Sequence, residues 1–355
     1  MTQVVSRAVV DAGALDDVLA ARDGLIAERG LGDGQFEATE GPVDDYRRVV
    51  TIERLPDGRS SVTQTVSYRL RIPFFAPVFL PGYRRWLGRI GPLPKTVWWA
   101  PPVRLGVPQW SVLTRLAGLA MVTGYLSTLL TQTMTFSAQE FGVDKTAQGV
   151  ALAVVRADVV LAIALVALAD RRGRRTVAIW AAVAGSALTA AGALSPSLPW
   201  LVASQLVARG FVTGVTITAA VMAAEAMPAG SRAWSVGVLA MASALGVGVC
   251  VVLLPIAGAA TPAWRALYAL GLVGVPLALV IGRRLPESHR FLVSEAAHTA
   301  HPAHPAQTAE AVEATPARTD RPRRFRRRLA LLAGGAFLFN VFSVPASQFQ
   351  NEYLR

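Results

Sequence analysis

The spacing of apolar and polar residues divides the chain into stretches of different character. From Met1 to Ile72, apolar residues alternate with charges at short periods. Leu15, Val18, Leu19, Leu25 and Ile26 recur at helical spacing, which predicts a helix over residues 11–28 that stops before Gly30. Val66, Tyr68, Leu70 and Ile72 alternate with Thr65, Ser67, Arg69 and Arg71, the pattern of a half-buried strand. Val49 to Leu55 is its expected partner, joined by a turn at Pro56-Asp57-Gly58. Together these elements predict a small soluble α+β domain over residues 1–72. A chain of about 70 residues buries only a marginal core by itself. This domain is therefore expected to lean on other parts of the molecule.

Beyond residue 112 the pattern becomes long, nearly unbroken apolar runs. Seven can be drawn, at 113–136, 149–169, 176–195, 200–222, 234–258, 265–282 and 329–346. Each can form a helix that crosses a hydrocarbon core, which takes about 20 residues. Composition agrees, with 53% hydrophobic and 16% charged residues. Residues 1–110 carry 14 Lys/Arg and 12 Asp/Glu, whereas charges are sparse from 111 to 282.

Net charge of +12 is high enough to raise nucleic acid as a partner. The position of the arginines excludes it, because the excess lies in loops beside apolar runs. The loop at 170–175 holds four arginines and the stretch 283–328 holds ten, whereas the alternate loops are nearly free of them. That asymmetry predicts a cytoplasmic N-terminus in the plasma (inner) membrane. The N-terminus lacks the apolar core of a signal peptide, so the first run must act as the insertion signal. The single cysteine, Cys250, lies in an apolar run and is expected to be a small buried hydrophobe.

Two segments stand apart. Residues 73–111 mix Phe74, Phe75, Phe79, Tyr83, Trp86, Trp98, Trp99 and Trp110 with arginines and prolines. Aromatics among cations suit the headgroup layer of an anionic leaflet. The competing expectation is an aromatic linker packed into the soluble domain. Residues 293–328 read as a cytoplasmic linker rich in Ala, Pro and Thr, ending in the basic collar Arg321–Arg328. His298, His301 and His304 recur every three residues, but Pro302 and Pro305 break the helix that would align them. No metal or cofactor is expected.

The stretch Leu168-Ala169-Asp170-Arg171-Arg172-Gly173-Arg174-Arg175 resembles the loop between the second and third spans of the major facilitator superfamily. Asp170, Gly173, Arg174 and Arg175 match the motif, and Val166 stands where the family has glycine. Glu225 and Arg232, around Met227-Pro228, resemble the loop after the fourth span. Arg283-Arg284-Leu285-Pro286-Glu287-Ser288-His289-Arg290 resembles the segment after the sixth, best known in sugar-porter-like members. Arg209 resembles an intramembrane arginine of the fourth span. The Gly-Pro pair of proton-coupled drug exporters is missing from the fifth run, where Gly246 and Gly248 stand apart from Pro255.

The resemblance implies an all-α membrane protein: a six-helix half bundle over 112–292 plus a seventh span, 329–355, preceded by the α+β domain. It implies alternating access by one helical half rocking against the other. Asp170, Gly173, Arg174, Arg175, Glu225, Arg232, Glu287 and Arg290 would latch the cytoplasmic face. The family uses twelve spans, so the chain reads as a fragment that needs a second half to transport. Tyr125, Thr128 and Gln132 of the first span, with Asn340 and Gln348 of the seventh, would line the cavity for a small solute.

Arg156 and Asp158 lie inside the second run, about 10–14 Å along from Gly149 at 1.5 Å per residue. Facing lipid, each would cost several kcal/mol, so both should face protein or water. Two positions apart they point about 200° from one another, so each needs its own partner. Arg209 is the candidate for Asp158. Such a carboxylate can exchange protons or can belong to a static charge network. An enzyme has no support, since no nucleophile elbow, metal set or phosphate loop is present. The alternative function is a membrane-anchored module in which residues 1–110 bind a ligand or partner.

Overall fold

The computed structural model describes residues 2–287, apart from 57, 73–74, 92–96 and 98–99. The linker at 293–328, the seventh span, the three histidines, Arg290, Asn340 and Gln348 lie outside the described residues.

Five strands form the N-terminal domain: β1 (Thr2–Val10), β2 (Ala27–Gly32), β3 (Gln35–Glu40), β4 (Val43–Arg54) and β5 (Ser60–Leu70). They pair antiparallel in the order β1-β5-β4-β3-β2. The β4–β5 hairpin closes where the turn residues place it, with Gly58 at φ +79° and Ile52 opposite Val62. Alternation along β5 puts Val62, Val66 and Tyr68 fully inside.

The expected helix over 11–28 is corrected. Only a turn at Ala12–Ala14 and the short helix α1 (Leu15–Leu19) form, and Glu28 enters β2. Asp23-Gly24 interrupts the helical run, and the domain needs the side chains on either side elsewhere. Glu28 accepts from the Arg22 amide at 3.0 Å and from Arg48 Nη2 at 2.8 Å, and Tyr46 donates to it as well. Arg48 also donates to the carbonyls of Val18 at 3.0 Å and Ala20 at 2.8 Å. Burial, reinforced by the Glu28 charge, pushes the Tyr46 hydroxyl well above its ordinary pKa. It therefore remains a donor.

Where it is described, the aromatic segment packs into the protein. Helix α2 (Ala76–Leu87) buries Tyr83, Trp86 and Leu87. Trp110 is 2% exposed, edge-on to Phe79 at 5.4 Å and to Trp234 at 5.8 Å. Such rings bury about 150–250 Å² each, more than a marginal sheet domain can forgo. One continuous core therefore runs from Val4 and Tyr68 in the sheet through Trp86 and Trp110 to Ile281 and Leu285. Arg104 ties the seam by donating to the Gly24 carbonyl at 2.9 Å while pairing with Glu40 and Asp23. Ser231 Oγ accepts from the Val103 amide and donates to its carbonyl, both at 3.0 Å.

Six helical stretches follow, each long and apolar enough to cross a membrane: Val107–Phe141, Lys145–Arg172, Arg174–Leu194, Leu198–Ala226, Ala229–Ala257 and Trp264–Arg284. They contain α3 (Val107–Phe141), α4 (Lys145–Val155), α5 (Asp158–Arg172), α6 (Arg174–Ala191), α7 (Leu198–Ala226), α8 (Arg232–Ala257), α9 (Trp264–Leu270) and α10 (Gly274–Arg284). The first span is the most buried and forms the centre, whereas the second and fifth are the least buried. The first and fifth spans cross closely. A Cβ on Gly124 would overlap the Ser243 carbonyl, and one on Gly246 would overlap the Met121 carbonyl. Gly246 is thus needed for backbone contact between helices.

Candidate functional site

The second span is broken. The amides of Arg156 and Ala157 donate three residues back, to Ala153 and Val154, both at 3.1 Å, instead of four. No proline lies there to announce the break. Tight turns of this kind inside a helix often mark functional hinges. Asp158 becomes the first residue of α5, about 20 Å along from Lys145 and so near the middle of the span.

Asp158 is 5% exposed. Thr213 donates to its Oδ2 at 3.0 Å, and Arg209 Nε lies 3.7 Å from the same oxygen. Arg209 also donates to the Ser127 carbonyl. Thr213 escaped the sequence reading, although it sits four residues after Arg209 and so on the same helical face. Arg156 faces away, exposed, with no ion pair or hydrogen bond among the described residues. The expectation of separate directions for Arg156 and Asp158 matches this placement.

Between the second and third spans, Gly173 turns the chain at φ +94°, a value that favours glycine. Arg174 pairs with Asp170 at 3.0 Å and with Glu225 at the end of α7. The Arg175 amide donates to Glu287 at 2.9 Å, and its guanidinium donates to the Gly282 carbonyl at 2.8 Å. The loop therefore fastens the third span to the ends of the fourth and sixth. Arg232 is turned away, exposed, with a long 3.5 Å contact to the Met227 carbonyl. These contacts join the ends of the six described spans.

The expected cavity residues separate. Tyr125 is buried and donates to the Leu267 carbonyl at 2.7 Å, so it joins the first span to the sixth. It belongs to the same buried cluster as Leu126, Leu129, Trp264 and Tyr268. Thr128 and Gln132 are half-buried on α3. At the opposite end of the bundle, Glu140 accepts from Trp264 Nε1 and from Arg265 Nη2, both at 2.6 Å, and Arg265 donates to the Ala193 carbonyl at 2.7 Å. Sequence reading placed Arg265 only at a span edge and missed Glu140, because their meeting is long-range.

Helical crossings of this length and composition, joined by charged loops, define a multi-pass membrane protein. The model of the Major Facilitator Superfamily matches residues 116–353, and the chain belongs to that family. Among solved structures, it resembles the proton:xylose symporter XylE bound to 6-bromo-6-deoxy-D-glucose, with 19% identity and a TM-score of 0.48 over 53% of this chain and 46% of that one. It also resembles the inward open xylose transporter XylE from E. coli, with 18% identity and a TM-score of 0.46 over 54% and 51%. The chain spans about half the length of these structures. No curated protein matches it.

Proposed function

We propose that this chain forms the N-terminal half of a proton-coupled secondary transporter for a small solute in the plasma membrane, with its sheet domain in the cytoplasm. The observation that carries the proposal is Asp158, a mid-span carboxylate held by one hydroxyl and a loose arginine at a break in its helix. A static pair would be expected to form short, multiple bonds. A proton on Asp158 removes the charge that Arg209 faces and frees the break to move. Rocking of the halves would expose the carboxylate to one side or the other. Asp170, Gly173, Arg174, Arg175, Glu225 and Glu287 would stabilise the cytoplasmic closure, with Arg232 and Arg290 available to the second half. Tyr125, Thr128 and Gln132, with Asn340 and Gln348, are the proposed cavity residues.

The alternative, a membrane-anchored binding module, finds less support. The sheet–helix seam encloses a cavity of about 120 Å³ lined by Asp23, Tyr83, Arg104 and Trp110, and beside it an open groove of about 480 Å³ that includes Glu40 and Gln109. Arg104 already pairs with Asp23 and Glu40 there.

The test is transport by the protein in proteoliposomes with its second half co-expressed, using labelled solutes that the wild type moves. Asp158→Asn should keep solute exchange and lose accumulation driven by a proton gradient. Retained accumulation would sink the proton role. Orientation has its own test in intact cells with an impermeant thiol reagent. Cysteine at Thr146, exposed in the first turn of α4, should label and cysteine at Arg54 should not, with Cys250 buried and silent.

A further inference from the structure

The middle of the described spans does not balance its charge. Every other charged residue of the spans lies toward an end, leaving Arg156, Asp158 and Arg209 at mid-depth. Asp158 is already engaged by Arg209 and Thr213. Arg156 is exposed and unpaired among the described residues, and it stands at the break in the span, two positions before the Asp158 that Arg209 faces. The cluster is therefore two guanidiniums against one carboxylate, a net charge of +1. An arginine left facing hydrocarbon costs several kcal/mol, so Arg156 requires water or an anion.

We propose that Arg156, at the break in the second span, binds the carboxylate or phosphate of a small anionic solute, with Arg209 adding attraction from behind. The proposal rests on the transporter reading and names its substrate class. A planar guanidinium offers a fork of N–H donors that matches either oxyanion. The tight turn at Arg156–Ala157 sets the arginine on the uncovered side of the span, while Asp158 on the covered side keeps Arg209 in place. A neutral sugar would leave the excess charge uncompensated. The anion brings the countercharge that the described helices lack.

Binding is measured at equilibrium on the purified full chain in nanodiscs, without any gradient, so proton coupling does not enter. The probes are benzoate, inorganic phosphate and xylose, with thermal stability and intrinsic fluorescence as readouts. Benzoate or phosphate should stabilise the wild type and xylose should not. The preferred anion separates the carboxylate source from the phosphate source. Arg156→Gln should weaken that anion by about tenfold or more, the loss of a charged hydrogen bond, with its ligand-free melting temperature unchanged. Arg156→Lys should recover part of the affinity. Asp158→Asn should tighten the anion, because it leaves Arg209 uncompensated. Stabilisation by xylose alone, no response to either anion, or an anion response indifferent to Arg156→Gln would overturn the proposal. So would a ligand-free melting temperature that collapses in Arg156→Gln and Arg156→Lys alike, which makes the residue structural. If the anion binds but the gradient experiment fails, only the proton reading falls.

Discussion

Among the described residues, the arginine–carboxylate pairs Arg48–Glu28 and Arg209–Asp158 lie furthest from water, and they are built differently. In the sheet domain, Glu28 and Arg48 have side chains 0% and 2% exposed. The carboxylate accepts from Arg48, Tyr46 and the Arg22 amide, and the guanidinium also satisfies two carbonyls. In the membrane, Asp158 has one hydroxyl and an arginine at 3.7 Å. Both pairs carry a desolvation cost, but only the first has its full set of hydrogen bonds. A saturated pair has one stable arrangement. An undersaturated one can change partner or proton at low cost, which suits a moving part.

The contrast can be broken by mutation. The largest effect should come from Glu28→Ala, which strands Arg48 in the core and should cost about 3–5 kcal/mol. Thermal melts and limited proteolysis of the full chain would show residues 1–72 released first. A variant as protease-resistant as the wild type would mean that the saturated network is dispensable. Asp158→Asn should cost less, about 1–2 kcal/mol, since it loses one hydroxyl contact and a loose pair. A melting shift as large as that of Glu28→Ala would make Asp158 structural after all.

Arg174→Ala should cost about 1 kcal/mol, because the pair with Asp170 is at the surface and the one with Glu225 is partly covered. Membrane insertion should be intact and transport slower if the loop stabilises the closed face. Equal rates would remove that role.

The smallest effect is in alkali. Burial raises the pKa of Tyr46, Tyr68 and Tyr83 above the ordinary value of 10.0. Folding therefore favours their neutral forms. Stability should be flat below pH 10 and should fall above it, where the unfolded chain ionises and the fold resists. Tyr46→Phe should reduce that slope. An unchanged slope would mean that Tyr46 ionises freely in the fold.

Part of this was legible from residue order. Six of the seven apolar runs lie in the described residues and became crossing helices with ends within a turn or two of those expected, because a bilayer-length run of apolar residues has few other stable forms. The β4–β5 hairpin was legible because Pro56-Asp57-Gly58 separates two alternating runs. The loop charges Asp170, Arg174 and Glu225 met because short loops bring span ends together. The strands β1 to β3 were not legible. Val4 is the only fully inward residue of β1, so its alternation is weak. Helical periodicity over 11–28 was real but was overridden when Glu28 took its place beside Arg48.

The sequence by itself determined that this is a membrane bundle with a soluble front end, since hydropathy and loop charge act locally and need no partner. Tertiary structure alone decided where the front end rests, which carboxylate is saturated and that the second span breaks at Arg156. Those outcomes depend on contacts between residues far apart in the chain. Arg48 reaches Glu28 across the sheet, Trp110 meets Trp234 across two spans, and Arg209 draws Asp158 from another helix. Burial strengthens each such contact by removing water, and no local pattern records which groups will be buried together.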